Sequence, residues 1–556
     1  MMANVEAAAD PFEDLAREFW TWRAAHQPVG TDDIPRIERP ADWTPDWSAA
    51  TVAKRRQALA DFERRWRAID PSGWLTPRQV DYRLLGSAIA RVRWELEVER
   101  AWRRDPRFYV NQTLGSIFLS LLPPPPIDAE RSAEILRRLR SFPKTLEDGK
   151  ANLDQAVAPF AKIAIHDLTG IGDRLRIVAR EIQPLLAPES AAQLDDAIGK
   201  GIAALDAYRD WLAGRLAKMP AATAVGREGY VWFLNNVALL PYTPEELLLM
   251  GRQEWERAVA FEALEQNRNS GLPELPLFPD QAAQMAREAE QENAIRRFLE
   301  EKNLLSVPDW MRHYRNLPLP AYLDALPPLG VTDDLTGPSR LKEDSVSYIR
   351  KPSPDLGYFG LSTARDPRPI IVHEGVPGHY FQMALSWAHE NWLRRHYYDS
   401  GPNEGIGFYA EEMMLQAGLF DDSPRTREIL YNFMRLRALR VEVDVKLALG
   451  QFSIEQAATC LQTTVPMDYE TALEEAAFFA TSPGQAITYQ IGKLQILRFL
   501  ADARRSKGKN FDLRSFHDYL WKNGNVPISL LRWEYLGLKD EIDLIEQRAG
   551  GKSRGK

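Results

Sequence analysis

A single cysteine, Cys460, leaves this chain of 556 residues without an internal disulfide and without a thiolate metal site, since both need several such residues. Any metal must then be held by His, Asp or Glu. Histidine is scarce too: of the 8 present, four (His373, His379, His389 and His396) fall close together, and His26, His166, His313 and His517 are scattered. No run approaches the roughly 18 to 20 apolar residues that cross a bilayer. No fixed-period repeat marks a solenoid. The N-terminal stretch MMANVEAAADPFEDLAREF lacks a basic region leading into an apolar core and a small-residue cleavage site. These absences lead us to expect a cytoplasmic protein with no membrane association. The net charge of -8 argues against a nucleic-acid partner.

What is present reads as helix. Apolar residues make up 45% and charged residues 27%, an ordinary globular balance. Three- and four-residue apolar spacing predicts helices through most of 11–115, then over 130–141, 155–180, 189–217, 244–266 and 278–301. The proline run SLLPPPPID reads as a rigid bend between helices. Beyond about 305 the periodicity lapses. Val346, Tyr348 and Arg350 alternate as in a strand, and Tyr358 to Ser362 reads as a second strand across the PSPDLG turn. Helical patterning returns at 371. We therefore expect a mainly α protein with a small sheet beside its active cleft. The chain reads as a single intertwined unit over 1–556. Within it lie a helical half at 1–304, an irregular segment with the sheet at 305–370, and a helical half carrying the site at 371–556.

The stretch IIVHEGVPGHYFQM concentrates the chemistry. His373 and Glu374 are adjacent, so on a helix their side chains point about 100° apart, one toward a metal and one toward a water beside it. The usual second histidine, four residues on, is replaced by Pro377; His379 follows at six, about 120° away on an undistorted helix. A widened turn, kink or break at Pro377-Gly378 is required to aim both rings at one ion. Taken alone, the pair better suits two hydrogen-bonding histidines than a metal site. In PNEGIGFYAEEMM, Glu404 and Glu411 are seven apart and share one helix face, within surroundings where an unpartnered carboxylate is costly. His373, His379 and Glu404 then form a two-His, one-carboxylate set, with Glu411 behind it or clamping a substrate amine.

Downstream, HEGVPGHYFQ, NEGIGFYAEE, SPGQAITYQIGKLQI and FHDYLWKNGNVPISLL occur in that order. Together they resemble the large bacterial family catalogued as domain of unknown function 885, which is similar to zinc metallopeptidases such as the Taq-type carboxypeptidases and angiotensin-converting enzyme. The resemblance implies a large, mainly α, zincin-like peptidase fold with a deep cleft between helical halves, zinc ligands at His373, His379 and Glu404, and a general base at Glu374. It departs at Ile406, where the family has Trp, at Phe478 and Phe479, where it has an Arg-Tyr pair, and at Ala448, where it tends to histidine. These departures bear on substrate preference.

Tyr489 is the candidate oxyanion donor, a packed aromatic being its other reading. Gln485 precedes it by four residues and shares its face if the helix has begun. Arg440 and Asp444 are spaced for a structural ion pair, and Arg437 is open to a substrate carboxylate. His517 is a candidate hydrogen bonder. Tyr348 and Tyr358 mark a strand that could hold an extended substrate. The expected function is zinc-dependent hydrolysis of a peptide or small amide. The same residues would also serve an iron-dependent or lyase-type enzyme, or a non-catalytic helical binding protein that keeps the cleft.

Overall fold

The computed structural model describes residues 10–30 and 37–551. Local chemistry sets most helix starts. Asp10 accepts the Phe12 N–H at 3.1 Å, and Pro11 occupies the first position of Pro11–His26, where a missing N–H is harmless. Thr243 and Glu246 form a reciprocal capping box at the start of Pro244–Arg268. The helix expected over 130–141 continues through Pro143 as Ala129–Asn152. Leu139, Phe142 and Leu146 carry its buried stripe across the proline, and that burial outweighs a penalty of about 3 kcal/mol. The helix expected over 155–180 is two, Ala158–Leu168 and Ile171–Ile182, divided at Gly170 by a left-handed φ of 72°.

The sheet is small. Among the described residues it has the order β1-β3-β2, with β1 at Tyr314–Pro318, β2 at Asp333–Asp334 and β3 at Ser345–Ile349. β1 runs parallel to β3, and β2 antiparallel. The strand read at Val346 and Tyr348 is present. The one read at Tyr358 to Ser362 is a helix, Tyr358–Thr363, in which the Ser362 and Thr363 hydroxyls donate back to the Tyr358 and Phe359 carbonyls. Because β3 is already paired on both edges, it has no free edge for a substrate strand, contrary to that expectation.

The helix Ser400–Ala417 is the central element. Every residue from Pro402 to Leu415 is buried, the pattern of a helix enclosed on all sides. It crosses Thr488–Lys507 at Gly405 and Gly492, where a Cβ on Gly492 would lie 2.3 Å from the Gly401 carbonyl oxygen and 2.7 Å from the Gly405 Cα. One buried apolar cluster extends from Phe12 to Ile545. No helix among the described residues is long and apolar enough to cross a membrane. The crossing makes a prediction: Gly492→Ala lowers stability by about 1–3 kcal/mol through overpacking. An unchanged thermal midpoint would show the contact to be looser than the geometry indicates.

Candidate metal centre

The helix entering the HEGVPGH segment is first widened and then broken. Val376 N donates to the Ile371 carbonyl at 2.8 Å, closing a π turn over Ile371–Gly375. Val376 is extended, and helix resumes only at His379. Gly378 permits the break, since a Cβ there would lie 1.7 Å from the His373 carbonyl oxygen. Trp521 fixes it by donating its indole N–H to the Pro377 carbonyl at 2.6 Å. The distortion demanded by the six-residue spacing is therefore in place, and the two imidazole centroids are 4.7 Å apart.

Both rings meet one carboxylate. His373 Nε2 and His379 Nε2 lie 3.4 and 3.3 Å from Glu404 Oε2, and the Glu374 oxygens lie 4.0 and 3.9 Å from the same nitrogens. His373, Glu374 and His379 each offer a ligand atom within 4.8 Å of the others, so the cluster could hold a metal ion. Gly407 keeps the space open: a Cβ there would come within 3.0 Å of the His379 ring and 3.1 Å of the His373 ring.

Three carboxylates on the central helix are buried, and they are partnered differently. Glu412 meets Lys493 at 2.7 Å and Arg257 at 2.9 Å. Glu411, whose oxygens likewise have no hydrogen-bond partner among the described residues, is charge-paired: its Oε1 lies 2.8 Å from Arg437 and 2.7 Å from His373 Nδ1. Glu404 is fully buried, neither oxygen has a hydrogen-bond partner among the described residues, and its ion-pair neighbours there are the two imidazoles. Burial would raise the Glu404 carboxyl, but the His379 and His373 imidazoles reverse this and hold it well below the usual carboxylate range. Two imidazole nitrogens and an orphaned carboxylate oxygen are the donor set a divalent cation requires. Glu374 differs again. Burial, assisted by Asp333 and Glu404, pushes its carboxyl up to about 8, yet its side chain keeps 23% exposure while those of the histidines and Glu404 keep 4% or less.

The other sequence candidates divide. The Tyr489 ring stacks near His373, with centroids 6.2 Å apart and planes at 17°, and the Arg440 guanidinium lies 4.6 Å from it. Arg437 reaches Glu411 and His373 Nδ1 rather than open space. Arg440 pairs with Glu475, not Asp444, because the Asp444 carboxylate is taken by the Gly484 and Ala486 N–H groups and the Tyr230 hydroxyl. Gln485 precedes the helix, which begins at Thr488, so it does not share the Tyr489 face. His517 is fully buried away from the cluster, its Nδ1 donating to the Leu304 carbonyl at 2.7 Å and its Nε2 accepting from the Tyr409 hydroxyl at 2.8 Å. The Tyr348 hydroxyl donates to the Leu122 carbonyl, and that of Tyr358 to Asn432. Neither tyrosine joins the histidines.

Sequence reasoning missed the group behind Glu374. Tyr314 packs against Gly375 and donates to Asp333 Oδ2 at 3.2 Å, and Ser347 donates to Asp333 Oδ1 at 2.7 Å. β2 is two residues long, too short for an alternating pattern to reveal it.

The family described as "Bacterial protein of unknown function (DUF885)" matches residues 29–534. The chain belongs to this family. No curated protein matches it. Two solved structures share the fold. One is described as a "putative lipoprotein of unknown function" from Shewanella oneidensis, with 17% identity, TM-score 0.68 and coverage of 95% of this chain and 99% of that one. The other is a "putative lipoprotein" from Colwellia psychrerythraea, with 16% identity, TM-score 0.71 and coverage of 97% and 100%. The lipoprotein description of both overturns the expected cytoplasmic location, since lipid-anchored proteins of that class are held at a membrane outside the cytoplasm. Of the departures from the DUF885 motifs, Ile406 and Ala448 fill apolar core, and Phe479 packs 5.4 Å from the Arg440 guanidinium that covers Tyr489.

The placement of His517 has a pH consequence. Burial holds its imidazole down at about 4, below the ordinary 6.5, so the native state prefers the neutral ring. Its stabilising contribution is complete above 6.5 and is lost as pH falls from 6.5 toward 4, to a total of about 3 kcal/mol. Chemical denaturation at pH 7.5 and 4.5 should show a smaller pH dependence for His517→Gln than for the wild type. Equal dependence would remove His517 as a contributor.

Proposed function

We propose that the protein is a zinc-dependent hydrolase of peptide or related amide bonds, with His373, His379 and Glu404 holding the metal. The observation that carries this reading is Glu404, a buried carboxylate with no hydrogen bond, facing two imidazole nitrogens at 3.3 and 3.4 Å. Zinc bound by such a set leaves a coordination position open and supplies Lewis acidity, lowering the pKa of water and polarising a carbonyl.

The residues around it then have distinct tasks. Glu374, the cluster member still open to solvent, accepts the proton of the attacking water and delivers it to the leaving nitrogen. Tyr489 donates to the substrate oxygen as charge develops there. Glu411 and Arg437 hold the His373 ring with Nε2 turned toward Glu404. The likeness of DUF885 motifs to zinc-peptidase motifs supports the same reading, and the zincin-like cleft giving access to Glu374 is part of it.

Two measurements test this. Elemental analysis should find one zinc per chain in the wild type and none in His373→Ala; equal zinc in both would remove the site. Iron in place of zinc would redirect the reading to the non-haem iron chemistry that the same ligand set serves. With zinc present, Glu374→Gln should retain the metal and lose peptide hydrolysis by a factor of roughly 10²–10⁴, read by mass spectrometry on a peptide library. Near-normal turnover in that variant would exclude Glu374 as the base.

A further inference from the structure

A cavity of about 180 Å³ lies beside the first turn of Ser400–Ala417, and neither histidine nor Glu374 or Glu404 lines it. Its walls come from both ends of the chain, including residues within 91–111, 399–402 and 481–495. Three features of this wall are not explained by packing. First, three buried amides line it with an unmet polar atom. Among the described residues, Gln485 and Gln495, 7% and 5% exposed, have an Nε2 without a partner, and Asn111, 9% exposed, has an Oδ1 without one. Each such atom costs about 1–3 kcal/mol if left unpaired.

Second, the cavity holds carboxyl groups beyond its internal ion pairs. Glu95 is held by Arg23, and Asp399 by Arg91 at 2.9 Å. Glu99 and Asp105 also line it, yet among the described residues neither forms an ion pair. They accept the backbone N–H groups of Ala101 at 3.1 Å and Arg107 at 2.8 Å. Burial pushes the Glu99 carboxyl up to about 8 and that of Asp105 up to about 7. Third, the remaining wall is aromatic, with Trp47, Trp94, Trp102 and Phe233 among it.

We propose that this cavity binds the ammonium or guanidinium side chain of a basic peptide residue. Carboxylates lacking a cation and aromatic faces are what an organic cation meets in its sites. A bare metal ion would need a compact oxygen cage instead. The volume, below the roughly 300–1,000 Å³ of sites for whole small molecules, suits one side chain. Asn111 Oδ1 accepts from the cation, and the unmet glutamine N–H groups match a peptide carbonyl on the same ligand. That match favours a residue within a peptide over a free amine. The assignment concerns binding and does not depend on hydrolysis.

Calorimetry on the full chain tests it with three probes. Nα-acetyl-arginine amide should bind, Nα-acetyl-norleucine amide should bind about tenfold more weakly or worse, and agmatine, which lacks the carbonyl, should fall between them. Glu99→Gln keeps an acceptor for the Ala101 N–H and should weaken the arginine amide about tenfold, with thermal unfolding as a check on the fold. Equal affinity for the arginine and norleucine derivatives, or no binding of either, overturns the cation site. Agmatine matching the arginine amide overturns the peptide part of the assignment. Should the variant fail to fold, the comparison of probes on the wild type decides alone.

Discussion

The structure around the cluster depends on placing an ionised carboxylate, Glu404, in the fully buried interior of the central helix. Moving such a group out of water costs several kcal/mol unless partners replace its hydration. Neighbours on the same helix obtain those partners from lysine and arginine: Glu412 from Lys493 and Arg257, Glu411 from Arg437. Glu404 obtains only two imidazoles, and these reach it because the preceding chain is widened at Ile371–Gly375 and broken before His379. The close helix crossing at Gly405 and Gly492 and the space left at Gly407 follow from the same demand, since a side chain at any of these positions would displace a helix or a ring.

This explains why motifs far apart in sequence occur together. The late FHDYLWKNGNVP segment contributes packing rather than reacting groups. Trp521 ties down the Pro377 carbonyl. Asn525 and the Gly524 carbonyl hold the Gln382 amide, which in turn accepts from Asn403, the neighbour of Glu404. His517 sits deeper, bridging Leu304 and Tyr409. The SPGQAITY segment is anchored by Asp444, whose carboxylate collects its N–H groups and so sets where Tyr489 begins its helix.

What could be read from the sequence was set by distance along the chain. The break between His373 and His379 follows from helix geometry and one proline, and the shared face of Glu404 and Glu411 from a seven-residue spacing. Both are local rules, and both match the structure. The errors came where a distant partner won. Arg440 left the i,i+4 carboxylate for Glu475, because Asp444 was already occupied by a loop forty residues on. β3 found its partners in β1 and β2, upstream, rather than across the adjacent turn, and a parallel pairing leaves no hairpin signature. Tyr314, Asp333 and Ser347 gather behind Glu374 only through that sheet.

The partition of exposure within the cluster bears on what it can do. A site meant only to stabilise the fold gains from covering every charge, and Glu404, Glu411 and both histidines are covered. Glu374 is not, although it stands next to His373 and is raised by the same burial and by Asp333. Leaving one carboxylate of the set reachable from solvent, with its proton affinity lifted, weakens the site as a structural element. The structure thus separates the enclosed groups, whose partners are fixed, from the one member of the set left with an open side.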